Sequence, residues 1–350
     1  MKTESFGFSK RAGKEATLIT IEGKNGMSFS VTDYGAALVK IFVPDKNGKP
    51  VDVCLGYTSV EGYEKNWGYL GAIIGRITNR IDGAKFTFQG KEYLLEDNND
   101  GMTLHGGENG LDKRIWEYQL LEDINAVAFY TTCPDGDQGI PGEVHICVTY
   151  RLTDEGGLRI SYSAVPEQDT LINMTNHVYF NLSGHNAGDC LDTTVWINAD
   201  FMNGVKTGVC PNGNIVSVKG TPFDFTEPHK IGERIHDENC EALAICGGYD
   251  GNHVLNEYDG SIRRVACAHA DDTGITMEVY TDQPGMTFYS PNFVDGYTDG
   301  KDGMTYQKYA GFCMETQHYP GSPNYLPFPS IVYKRGQAFF SETTYVFSAE

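Results

Sequence analysis

One carboxylate, Glu315, sits in the otherwise uncharged run 311–330 (GFCMETQHYPGSPNYLPFPS). Phe312 and Met314 flank it on the strand side, and Pro320-Gly321-Ser322-Pro323 makes a rigid turn after it. A carboxylate held at a strand end among apolar neighbours loses water, its pKa rises toward neutrality, and it becomes a usable base. The plain alternative is a strand-end glutamate paired with an arginine or lysine. The run 173–184 (NMTNHVYFNLSG) supplies a partner. In extended conformation Asn173, Thr175, His177 and Tyr179 face one way. Such a face fits a core only if every polar atom is satisfied, so it reads as the wall of a polar cleft.

Four shorter constellations accompany these two. In GRITNRI (75–81) the arginines offer planar forks of donors for sugar hydroxyls or a carboxylate. Arg76 by itself reads as a structural residue satisfying backbone carbonyls, whereas Asn79 and Arg80 are open to either role. In LHGG (104–107) two glycines after His105 permit close approach of a backbone or ligand, and the polar loop at 96–101 places His105 beside an exposed rim. In GYDGN (248–252) Asp250 is an acceptor for hydroxyls or simply a turn residue. In QPGMTFY (283–289) aromatics follow a turn, suited to a sugar face or to a core.

The elements that carry these residues are strands. Period-two alternation predicts hairpins over 144–152 with 158–164 and over 85–88 with 91–95. Further strands are expected at 17–22, 27–32, 37–43, 114–121, 126–131, 193–198, 262–268, 275–281 and 337–347. Helical periodicity is scarce: 59–63 and 228–235 each have room for a turn or two, the second capped by Thr226 with Pro228 in its first turn. An all-β chain of this kind, with no repeat and no linker, is expected to be one domain over 1–350 with a β-sandwich or related architecture. Long connections at 96–112, 199–225, 236–252 and 291–310 are the places where a site is built.

Composition narrows the function. The chain has 350 residues and a net charge of −20, from 47 acids and 27 bases. That balance excludes nucleic acid and anionic membrane as partners and disfavours phosphorylated substrates. Nine cysteines, with no CxxC pair, read as free thiols in a cytoplasmic protein rather than as a zinc site. No apolar run approaches a membrane span, and residues 1–16 show no secretory pattern.

Taken together and in order, GRITNRI, LHGG, TNHVYFNLSG (175–184), GYDGN, QPGMTFY and METQHYPGSPNYLPFPS (314–330) resemble the aldose 1-epimerases, also called galactose mutarotases. The resemblance runs from about residue 35 to 347. It implies an all-β supersandwich with an open sugar-binding cleft and interconversion of the α and β anomers of free hexoses. No cofactor and no metal are implied; the partner is a monosaccharide, and the protein is a monomer or homodimer. It carries the general acid onto His177, the general base onto Glu315, and sugar contacts onto Asn79, Arg80, His105 and Asp250. Three positions depart from the family: Gly251 where a histidine is common, Thr287 where some members have a glutamine that touches sugar, and Gly321 where an aspartate is usual. A sugar-binding protein without turnover, a sugar-phosphate epimerase and a metal-dependent hydrolase using His105, His177 and Glu315 are the competing readings.

Overall fold

The protein is described from a computed structural model covering residues 1–65 and 68–350. It is all-β, as expected, built from open sheets. The first sheet is a five-stranded antiparallel meander, Lys2–Ser9, Lys14–Glu22, Ser28–Thr32, Leu38–Pro44 and Pro50–Asp52. A nine-stranded sheet follows the order Glu117–Leu121, Ala126–Cys133, Val144–Leu152, Gly157–Pro166, Phe339–Ala349, Ile275–Thr281, Arg263–His269, Thr194–Ile197 and His229–Lys230. A second five-stranded sheet runs Cys210–Ser217, Phe201–Lys206, Asp250–Val254, Gly285–Tyr289 and Cys313–Gln317. Alternation explains how the sheets meet. Ile19 and Phe29, Phe129 and Ile160, and Phe288 and Met314 are the inward residues of the three sheets, and all belong to one buried cluster.

The expected hairpins and the strand set are present. The helix expected at 228–235 is not. There His229–Lys230 adds a short strand to the nine-stranded sheet, and a single 3-10 turn, Ile231–Glu233, follows. Thr226 caps nothing; its hydroxyl donates to Asp224 Oδ1 at 2.6 Å. Edge pairing with Thr194–Ile197 overrides the local helix signal. The short helix at 59–63 is found as Val60–Lys65. A second one, Glu241–Cys246, lies inside the expected loop 236–252 and ends on Gly247 in the left-handed region. Two strands, Phe201–Lys206 and Cys210–Ser217, occupy most of the expected loop 199–225.

Arg76 is a structural residue. It is fully buried, and its guanidinium donates to the carbonyls of Gly142 (2.7 Å) and Pro141 and to the hydroxyl of Thr170. Burial pulls it down to about 10. Arg76→Met is expected to strip these acceptors of their charged donor, leaving Pro141 O only the Thr170 hydroxyl, and to lower stability by about 3 kcal/mol in urea unfolding.

Candidate active site

The second five-stranded sheet has two unlike faces. Gly251, Phe288 and Met314 form one cross-strand row, and it faces the core. The adjacent rows, Asp250–Tyr289–Cys313 and Asn252–Thr287–Glu315, face the other way. Strand alternation thus puts Asp250, Tyr289 and Glu315 together on the wall of a cavity of about 610 Å³. Asn79, Arg80, His105 and His177 complete it, so all six residues expected at the site converge on one cavity.

Asn79 and His105 fix each other. Both adopt left-handed backbone, φ 61° and 53°. The His105 N–H donates to the Asn79 carbonyl at 3.1 Å, and the Asn79 N–H donates to His105 Nδ1 at 3.2 Å. Nδ1 therefore holds a lone pair, and Nε2 carries the hydrogen. Asn79 Oδ1 accepts the Arg80 N–H at 2.8 Å, which leaves Nδ2 as its free donor. Arg80 Nη1 reaches Asp250 Oδ2 at 3.4 Å, both side chains nearly buried. His105 itself is 5% exposed, and the loop residues Asn99, Asp100 and Gly101 line the same cavity, so it lies inside, beside a more exposed rim.

His177 Nε2 and Glu315 Oε1 are 3.6 Å apart. Burial lowers the His177 imidazole to about 3. Burial, then the neighbouring Asp250, raises the Glu315 carboxyl well above its usual range, against the pull of Arg80. Burial also raises Asp250, again opposed by Arg80. Burial thus disfavours the charge on both groups, and at Glu315 only the single guanidinium of Arg80 opposes it.

The expected polar wall at 173–179 divides in two. His177 and Tyr179 line the cavity, whereas Asn173 and Thr175 are buried beneath it. Only Thr175–Asn176 forms a strand, paired with Ile73–Ile74. Tyr69 was not singled out from the sequence. Its ring lies 4.7 Å from His105 and 5.9 Å from His177, nearly parallel to the latter. The one signal for it is its place between Gly68 and Gly71, on a backbone with φ of 59°.

The donor atoms of His105, His177 and Glu315 lie within 4.8 Å of one another, as a two-histidine-one-carboxylate metal site requires. The Asn79 N–H on His105 Nδ1 opposes that use. It places a hydrogen on Nε2, where a metal needs a lone pair.

A model of the aldose 1-epimerase family matches residues 17–346. The chain belongs to the aldose 1-epimerase family. It is 40% identical to rat galactose mutarotase over 324 residues, 92% of this chain and 91% of that one. It is 35% identical to the aldose 1-epimerase of Escherichia coli K12 over 341 residues, 97% of each. A crystal structure of an aldose epimerase homologue from C. elegans superposes with a TM-score of 0.88 at 31% identity, covering 95% of this chain and 99% of that one.

The three departures of this aldose 1-epimerase family member now have positions. A side chain at Gly251 would meet Met202 and Phe223 on the core side, so a ring there would point away from the cavity. Thr287 lies on the cavity-side face, two rows from Asp250, and its hydroxyl accepts a hydrogen bond from Gln317 Nε2 at 2.5 Å. Gly321 adopts φ of 73° at the turn after the Glu315 strand, and a Cβ there would press on Pro211 and Tyr325.

Proposed function

We propose that the cavity binds a free hexose in its ring form and interconverts its α and β anomers, with Glu315 as base and His177 as acid. The observation that carries this is the 3.6 Å approach of Nε2 and Oε1 on the cavity wall. Ring opening takes the proton from the C1 hydroxyl, forms C1=O, breaks the bond to the ring oxygen and protonates that oxygen. The two oxygens share one carbon, so the acid and base must be neighbours. Rotation about C1–C2 and the reverse transfers give the other anomer.

One proton serves both groups throughout. The ionic pair begins the opening, and the neutral pair is what remains once the base has gained its proton and the acid has lost one. Burial of both groups favours that second state in the free pocket. A sugar hydroxyl donated to the carboxylate stabilises the ionic state on binding. Nε2–H of His105 and the Arg80 guanidinium face the oxygens where negative charge grows, while Asn79 and Asp250 orient the remaining hydroxyls. Among the described residues lining the cavity Arg80 is the one lysine or arginine, and Asp250 already engages it, which argues against a phosphorylated sugar. The nine free cysteines support a reducing, cytoplasmic setting.

Polarimetry with freshly dissolved α-glucose or α-galactose tests this. Equilibration faster than in buffer is the expected result. Hexose binding with no acceleration would leave a sugar-binding protein. The pH profile gives a second check. Because burial takes His177 from 6.5 to about 3, kcat/KM is expected to stay level as pH falls through the ordinary histidine range. It should decline on the alkaline side, where the raised carboxyl gives up the shared proton; these apparent values belong to the pair. An inflection near 6.5 would instead report a solvated imidazole.

A further inference from the structure

The segment that carries His177 and the strand that carries Glu315 are 138 positions apart in the numbering yet lie side by side. At one end they are joined by a backbone bridge: Phe180 N–H donates to Phe312 O at 2.7 Å, and Phe312 N–H returns to Phe180 O at 2.8 Å. Between that bridge and the far end, no backbone hydrogen bond links the two segments among the described residues. Residues 175–177 pair instead with 72–74, His177 N–H donating to Ala72 O at 2.9 Å. The Glu315 strand pairs on its other side with Gly285–Tyr289. The acid and base therefore face each other across an opening between two chains.

The far end of that opening is closed by a side chain. Asn173 Oδ1 accepts the His318 N–H at 3.0 Å, and Asn173 Nδ2 donates to the His318 carbonyl at 3.2 Å. One amide group thereby does what a strand partner's backbone would do. Asn173 is 1% exposed, and its own backbone is equally committed: its N–H donates to Arg76 O at 2.9 Å and its carbonyl accepts Thr78 N–H at 3.0 Å. Three chain segments meet at this residue. The one at 76–78 leads directly into Asn79 and Arg80, the one at 173 into His177, and the one at 318 comes from Glu315.

We propose that Asn173 is a positioning residue that sets the separation of the acid and the base, though it does not line the cavity. The amide substitutes for a ladder bond at the one place where the two segments must part to admit a sugar. Asparagine is suited to this because it presents a donor and an acceptor on one planar group, matching the N–H and C=O of a single residue. Apolar packing can hold two strands near each other, but it does not fix their register along the strand direction.

The proposal rests on the acid–base reading above, so wild-type mutarotation is measured first; its absence would sink that reading and this proposal with it, whereas the variants below test this proposal alone. With an active wild type, Asn173→Ala is expected to lower kcat about 10–100-fold while KM stays within about twofold, since a displacement of around 1 Å costs roughly that much. Ile21→Ala, a core change in the first sheet on a strand that pairs only with Lys2–Ser9 and Ser28–Thr32, is the control: it should unfold more readily yet turn over normally below its Tm. Should the alanine variant not fold, Asn173→Asp keeps the acceptor for His318 N–H and replaces the donor with a second carboxyl oxygen, and its kcat is read in the same way. A folded variant with either substitution at 173 and wild-type kcat, or with a loss no larger than that of the Ile21 control, would overturn the proposal.

Discussion

Glu315→Gln is expected to remove a factor of about 10²–10⁴ from kcat with little change in KM. The amide keeps the shape and the hydrogen-bonding reach of the carboxyl but cannot take the proton from the C1 hydroxyl. His177→Asn should cost a similar factor, and the double variant little more than either single change, because one group accepts a proton and the other donates one in the same step. The same Glu315 variant should be the more stable protein at neutral pH. Burial raises the carboxyl above its solution value of 4.5, so above that value the unfolded chain ionises first and gains free energy that the folded chain does not. The penalty is absent where both states are protonated. Thermal unfolding should therefore show a higher Tm for Glu315→Gln at pH 7 and convergence with wild type as pH falls below 4.5. A variant with lower Tm at pH 7, or one that retains wild-type kcat, would contradict the assignment.

Lys301→Met is expected to cost about 3–5 kcal/mol of stability, read in urea unfolding. Lys301 is 3% exposed, and its ammonium donates to Asp52 Oδ2 at 2.7 Å and to the carbonyls of Val39 (2.8 Å) and Cys54 (2.5 Å). Truncation leaves the Asp52 carboxylate buried without its cation. Adding Asp52→Asn should recover part of the loss, although Asp52 Oδ1 also receives the Ile41 N–H at 3.1 Å. The effect should reach the site as well. Lys301 ties the connection 291–310 to the first sheet, and Phe293, Val294 and Tyr297 of that connection line the cavity. KM for hexose is therefore expected to rise in Lys301→Met while the acid–base step itself is preserved.

What could be read from the chain follows from where the physics is local. Glu315 is legible because it is the one carboxylate of an apolar strand end, and His177 because its run is too polar for a core; Asp250 by itself reads as an acceptor or a turn residue, and only the pairing of its strand with Gly285–Tyr289 and Cys313–Gln317 brings it to the face of Glu315. Arg76 was legible as structural, and its carbonyl partners bear this out. Charge state was not legible: the proton distribution between His177 and Glu315 depends on how completely water is excluded, a property of the closed cavity alone. The Asn173 junction joins residues 145 positions apart, and no local pattern announces it. The strands Phe201–Lys206 and Cys210–Ser217 carry Asn, Gly and Pro, which read as turns, and they form through pairing that Asp250–Val254 completes. The helix Glu241–Cys246 is too short for its periodicity to register.

The two-faced sheet has a consequence for how proteins of this build diverge. Phe288 and Met314 alternate with Tyr289 and Glu315 along adjacent strands. A single-codon insertion or deletion inside Gly285–Tyr289 or Cys313–Gln317 would turn the strand over, sending a methionine into the sugar chamber and a carboxylate into the apolar interior. The connection between them at 291–310 can change length without shifting either register, and because Phe293, Val294 and Tyr297 line the cavity such a change would alter the chamber's shape while leaving the acid and base in place.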